Sequence, residues 1–326
     1  MPLRLIHQAR SLLTDGRPPA PSEEISLALQ GGGSFGAFTW GALDRLLEQD
    51  MLRFDAVSGA SAGAVNAVLL ASGLAEGGRE GARERLTRFW RRMSQAASFL
   101  PLSAFPTGIG ALARAMSPYQ FNPFDLNPLR RGLEEEVDFE RLRHDSPIRL
   151  LISATRVADG SLRIFRNEDL NVDAVLASAC LPMIHRTVEI DGEAYWDGGY
   201  VSNPPLIPLV RESDVREVLI VQVTPNRVAR TPVGPREIER RLSQIAFNAT
   251  LNAEIEALKL AAQLRATKKM SELVIARIAA EDEIEDLGAQ NAGNLGWSFL
   301  EKLRDAGRQA AENWLAERAK GAVRDA

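Results

Sequence analysis

One serine in this chain stands where it could act as a nucleophile. Ser61 lies in Gly59-Ala60-Ser61-Ala62-Gly63, after the strand-like run Phe54 to Ser58 and before the helix formers Ala64 to Ala71. A strand, a sharp turn and a helix are the setting in which a Gly-x-Ser-x-Gly serine has its hydroxyl pushed into the open. Gly59 and Gly63 have no Cβ, so the chain can bend tightly and the helix can pack close beneath. The positive end of that helix would favour negative charge at the serine. The same five residues also read as an ordinary helix start, with Ser58 or Ser61 as the cap. The partners of the serine must decide.

A serine needs a base and a place for the charge that develops on its substrate. The chain has three histidines. His7 lies near the terminus, His144 in a charged stretch, and His185, after Leu181-Pro182, is the one placed to join a triad. Asp197, in Trp196-Asp197-Gly198-Gly199-Tyr200, is the better candidate. It comes directly off a hairpin strand, and Gly198 and Gly199 leave its carboxylate unobstructed. Taken alone, Asp-Gly is turn chemistry. For the charge, Gly31-Gly32-Gly33-Ser34-Phe35-Gly36 sits between a strand and a helix, where backbone N–H groups converge on a helix N-terminus. Gly31, Gly33 and Gly36 also match a dinucleotide fingerprint. That reading needs an acid at the end of the second strand, which here ends in Ser58-Gly59-Ala60-Ser61, with Asp55 at its beginning. The alternative is an oxyanion hole beside Ser61.

These groups must be positioned by a sheet. Ile25 to Leu29 reads as the first core strand, Ala37 to Gln49 as a helix, and the strand ending at Ser58 follows, so the chain opens as a parallel α/β unit. A charged helix spans Arg79 to Arg92. Residues 94–129 are apolar but cut by prolines, which predicts a cap of short helices and loops. Ile148 to Thr155, Ser161 to Phe165 and Glu217 to Val223 read as strands. Val188 to Ile190 and Glu193 to Trp196 flank the hairpin signal Asp191-Gly192. Beyond Pro225 the spacing predicts a long amphipathic helix over Arg236 to Leu264. Its buried stripe is expected at Ile238, Leu242, Ile245, Ala249, Ile255, Leu258 and Ala262. Leu273 to Ile278 predicts a last strand, and Trp297 to Ala319 a last helix.

Taken in order, Gln30-Gly31-Gly32-Gly33-Ser34-Phe35-Gly36, Gly59-Ala60-Ser61-Ala62-Gly63 and Asp197-Gly198-Gly199 resemble the three signatures of patatin-like phospholipases. The linking text Ala177 to Pro182 and Ile190 to Gly192 is similar too. The resemblance implies a three-layer α/β/α fold with a mainly parallel sheet and serine lipid acyl hydrolase activity by a Ser–Asp dyad. Ser61 matches the nucleophile and Asp197 the base. Gly31, Gly32 and Gly33, with Ser34 beside them, match the oxyanion loop, while Gly59, Gly63, Gly198 and Gly199 support the turns. It also implies that no metal or organic cofactor is required. The segment around Arg236 to Leu264 resembles a helical extension found on a bacterial subgroup. Gln30 and Phe35 stand where many relatives carry Asp and Arg or Lys, which removes charge beside the active site. His185 falls where relatives often have an aromatic, a pocket-wall position.

The chain of 326 residues is thus expected to comprise an N-terminal tail (1–22), a hydrolase domain (23–232) and a mainly helical C-terminal extension packed on it (233–326). Hydrophobic residues at 45% and charged residues at 25% are ordinary for a globular protein. The formal net charge of −4 gives no support for a nucleic-acid partner. A single cysteine, Cys180, excludes an intramolecular disulfide and a thiolate zinc site, which fits a reducing, cytoplasmic setting. No secretory signal or spanning apolar window is read. Peripheral membrane contact and a homo-oligomer are both compatible with the sequence. The expected partner is a lipid or other ester. Two further readings stay open: an esterase for short hydroxyacid esters on the same dyad, and a silent lipid-binding or regulatory protein.

Overall fold

The computed structural model describes residues 24–99, 119, 127–265, 267–284, 287 and 290–324. Among these residues eight strands form one sheet: β1 (Glu24–Leu29), β2 (Arg53–Gly59), β3 (Arg149–Arg156), β4 (Leu162–Phe165), β5 (Val188–Ile190), β6 (Glu193–Asp197), β7 (Glu217–Gln222) and β8 (Val274–Ala279). Their order is β5-β6-β3-β2-β1-β7-β8, with β4 also on β3. The centre, β3-β2-β1-β7-β8, is parallel, and β4, β5 and β6 add antiparallel pairing at one side. The sheet is therefore mixed.

Strand alternation builds two cores. On β1, Ile25, Leu27 and Leu29 face one layer and Ala28 the other; on β7, Leu219 and Val221 oppose Val218 and Ile220. The first face is covered by α1 (Gly36–Leu46), α2 (Ala62–Phe99), α3 (Pro128–Glu136), α4 (Phe139–Asp145) and α5 (Val172–Ser178). The second is covered by α6 (Leu206–Glu212) and α7 (Pro235–Gln263). A final helix, α8 (Trp297–Arg324), returns to the first face through Leu300, Leu303 and Trp314. This is a three-layer α/β/α arrangement. Residues beyond 233 supply β8 and part of the cover over each face.

The helices expected over Ala64 to Ala71 and Arg79 to Arg92 are both present within α2, separated by a kink where Gly77 and Gly78 leave helical geometry, Gly78 at φ +61°. Two expectations need correction. The second of these helices runs on to Phe99, into the segment expected to be broken. Most of the expected cap, and the whole expected tail 1–22, lie outside the described residues. The second correction concerns α7. Ile255, Leu258 and Ala262 are buried as expected, but Ile238, Leu242 and Ile245 are 44%, 62% and 50% exposed and Ala249 is exposed too, while Gln244, Asn248 and Leu251 face inward instead. The helix carries two stripes, and the inner one begins with amides because bonding partners await them beneath.

Candidate active site

The register of β3 brings the candidate residues together. Ile152 pairs with Gly59 at the end of β2, and Ala154, two residues on, pairs with Asp197 at the end of β6. Residues Ile152 to Thr155 pair with β4 on the other edge, so β2 and β6 lie end to end along one edge of β3. Their C-terminal ends therefore abut, and Ser61 follows one while Asp197 closes the other. Residues 136 positions apart in sequence meet because two strands share one partner.

The turn at Ser61 is tight and held. Ser61 takes φ +53°, a left-handed conformation that costs a non-glycine residue of order 1–3 kcal/mol. Its N–H donates to the Ser178 carbonyl at 3.1 Å and the Ser178 hydroxyl at 3.0 Å. A Cβ at Gly63 would collide with the Leu29 carbonyl, and one at Gly59 with the Gly63 backbone, so the first turn of α2 can lie against the ends of β1 and β2 only with glycine there. Ser61 itself is 8% exposed.

Asp197 is fully buried. Its backbone is fixed on both sides, the N–H donating to the Cys180 carbonyl at 2.9 Å and the carbonyl accepting from the Thr155 hydroxyl at 2.7 Å. Oδ1 accepts the Gly199 N–H at 2.7 Å, and Oδ2 has no hydrogen-bond partner among the described residues. Burial pushes the carboxyl up to about 7, against the pull of the Ser61 hydroxyl and the Gly199 N–H. Gly198 packs against Ser153, and Gly199 against Phe247 of α7.

The glycine loop is less uniform than its sequence. The Gly31 N–H donates to Asn203 Oδ1 at 2.7 Å, and the Ser34 N–H donates to the Ala292 carbonyl at 2.7 Å. Both expected donors are therefore engaged elsewhere. The N–H groups of Gly32 and Gly33 make no hydrogen bond among the described residues, with Gly33 at φ +59°. Gln30 is fully buried, its Oε1 accepting the Val223 and Thr224 N–H groups at 2.9 and 2.8 Å. Phe35 is buried and packs edge-on against Phe299 of α8 at 6.4 Å.

His185 lines a pocket of about 180 Å³ with Leu176, Ala179, Cys180 and Arg186, and neither Ser61 nor Asp197 lines it. His144 sits on α4, exposed beside Glu140, and His7 lies outside the described residues. Among the described residues no group of three or more His, Cys, Asp or Glu side chains could hold a metal ion. Nor is any helix there long and apolar enough to cross a membrane. Sequence reasoning passed over Ser178, Asn203 and Asn248. The signal for the last was available: Gln244 and Asn248 fall on the stripe of Leu251, Ile255 and Leu258.

The patatin-like phospholipase family model matches residues 27–210, more than half the chain, and the chain belongs to that family. The Escherichia coli K-12 protein YjjU is 27% identical over 245 residues, which cover 72% of this chain and 62% of that protein, so the chain spans less than two thirds of this relative's length. Similar solved structures include VipD from Legionella pneumophila (TM-score 0.45, 16% identity, 95% of this chain and 70% of that one). Another is the ExoU–SpcU complex of the Pseudomonas aeruginosa type III secretion system (TM-score 0.41, 16% identity, 93% of this chain and 52% of that one).

Proposed function

We propose that this protein hydrolyses carboxylic esters of lipid acyl chains by a Ser61–Asp197 dyad, with the Gly32 and Gly33 N–H groups as the oxyanion donors. The observation that carries the reading is the Asp197 carboxyl. It is buried beside the Ser61 hydroxyl and raised to about 7, where a carboxylate can take a serine proton. A carboxylate of ordinary affinity would be a weak base for that purpose.

The chemistry then runs in two halves. Asp197 accepts the Ser61 proton as Oγ attacks the ester carbonyl, and Gly32 and Gly33 receive the negative charge on the carbonyl oxygen. The C–O bond to the alcohol breaks, the proton passes from Asp197 to the leaving oxygen, and an acyl-serine remains. Water, deprotonated by the same carboxylate, attacks the acyl-serine, and Ser61 recovers its proton as the acid leaves. Losing one oxyanion donor typically costs about 2.7–4 kcal/mol of barrier. The test is covalent labelling by a fluorophosphonate together with hydrolysis of p-nitrophenyl esters and phospholipid vesicles. Labelling at Ser61 and hydrolysis, both lost in Ser61→Ala, are expected. Hydrolysis retained in Ser61→Ala would overturn the assignment.

A further inference from the structure

The family match ends at residue 210, yet the glycine loop is held from beyond it. Two chains of hydrogen bonds leave Gly31 in different directions. In the first, Asn203 grips the residue twice, Oδ1 accepting the Gly31 N–H at 2.7 Å and Nδ2 donating to the Gly31 carbonyl at 3.4 Å. The same Nδ2 donates to the Phe247 carbonyl of α7 at 3.2 Å. In the second, the Thr224 hydroxyl donates to the Gly31 carbonyl at 3.1 Å, and Gln30 ties the Val223 and Thr224 N–H groups to the residue preceding the loop. Asn248 closes this chain. Its Oδ1 accepts from Gln30 Nε2 at 2.8 Å and Gln222 Nε2 at 3.2 Å. Its Nδ2 donates to the Thr224 and Pro225 carbonyls at 3.3 and 3.0 Å. A primary amide has two donors and two acceptor lone pairs, and Asn248 uses them all. Both chains end on adjacent residues of one helix.

We infer that Asn248 is a positioning residue for the oxyanion donors, an assignment that rests on the reading of Gly32 and Gly33 given above. Donors stabilise a transition state only if they are aimed before the reaction begins, within about 0.5 Å of the productive position. A glycine loop has no side chains with which to hold its own shape. The buried amides supply that rigidity and bring no charge near Asp197, where a cation would draw the carboxyl back towards ordinary affinity. Gln30 supplies both the acceptor for two N–H groups and the donor for Asn248. A carboxylate could provide only the acceptor. The helix that looked like an appendage in sequence is part of the machinery.

The experiment uses the full chain as wild type, Asn248→Ala, Thr224→Val and Ser61→Ala. Active sites are titrated with a fluorophosphonate, and kcat and KM are measured on p-nitrophenyl butyrate, with the melting temperature of each variant. Asn248→Ala is expected to lower kcat per titrated site by about 10- to 100-fold while KM stays within about threefold, because the donors act in the transition state. Thr224→Val keeps the shape and removes only the bond to Gly31; it should lower kcat by about three- to tenfold, and it carries the test alone if Asn248→Ala does not fold. A merely structural role moves melting temperature and the number of active sites but not kcat per site. The inference is overturned if Thr224→Val, and Asn248→Ala where it folds, keep kcat per titrated site within about twofold of wild type. Ser61→Ala separates the two levels: hydrolysis retained there refutes the serine assignment itself, whatever Asn248 does.

Discussion

Asp44 and Asp197 are both buried carboxylates, and the protein surrounds them in opposite ways. Asp44, on α1, faces Arg83 of α2 at 2.8 Å, with Arg304 at 3.3 Å and Arg308, both of α8. Burial alone would raise its pKa, but the Arg83 and Arg308 guanidiniums hold it below the usual carboxylate range. Asp197 makes no ion pair among the described residues, and burial wins, pushing it up to about 7. Arginines turn a buried carboxylate into a fastener between helices. Without them the carboxylate keeps a proton affinity close to neutral pH, which is what proton transfer requires. The two C-terminal helices divide the same way: α8 docks with ion pairs at Asp44, and α7 reaches the glycine loop with neutral amides.

The largest expected effect is on turnover. Ser61→Ala and Asp197→Asn should each lower kcat by about 10³-fold or more, and the double variant should be little worse than either, since both act in one proton transfer. Additive losses in ester hydrolysis kinetics would break the dyad. Asp44→Ala, in contrast, should act on stability. It takes one carboxylate from Arg83, Arg304 and Arg308, and because these side chains are about a third exposed and Arg83 and Arg308 keep Glu48, the cost should be about 1–3 kcal/mol rather than the larger value of a fully buried pair. Urea unfolding measures that, and kcat per titrated site should stay within about twofold of wild type.

The pH dependence of stability should differ in sign at the two sites. The folded pKa of Asp197, about 7, lies above the ordinary carboxyl value, so its contribution is fully present below the unfolded pKa and is lost as pH rises through about 7. Asp197→Asn should therefore raise the melting temperature at pH 8, with the gain shrinking towards pH 5. Asp44 has a lowered folded pKa, so its contribution is present above the unfolded value and disappears as pH falls through the folded one. The smallest effect is expected at His185, which lines a separate pocket: His185→Phe should keep kcat within about tenfold of wild type on p-nitrophenyl butyrate.

Much of this was readable in the chain. The strand before Ser61, the hairpin at Asp191-Gly192 and the parallel opening follow from local pattern, because apolar alternation and turn chemistry act over a few residues. Asp197 could be picked out as a candidate base from its hairpin and glycines, but its meeting with Ser61 rested on family resemblance, since it depends on β2 and β6 sharing an edge of β3, a relation no local spacing encodes. The glycine loop was legible as an anion-binding segment, but not which of its N–H groups have no partner among the described residues. That is decided by Asn203 and Ala292, 172 and 258 residues from their partners. The α7 stripe misled because Ile238, Leu242 and Ile245 repeat as a core face would, while the true inner face opens with Gln244 and Asn248. A buried amide helix face is recognisable only when its partners are known.

The proposed role of Asp197 as the base for Ser61 is tested most directly by the pH dependence of kcat/KM on p-nitrophenyl butyrate, measured for wild type and His185→Phe. An acid limb with an apparent pKa near 7 is expected in both proteins, because the free enzyme must carry an ionised Asp197. A limb that disappears or shifts in His185→Phe would transfer the role of base to the histidine, and a limb near the ordinary carboxyl value of about 4 would contradict a base tuned by burial.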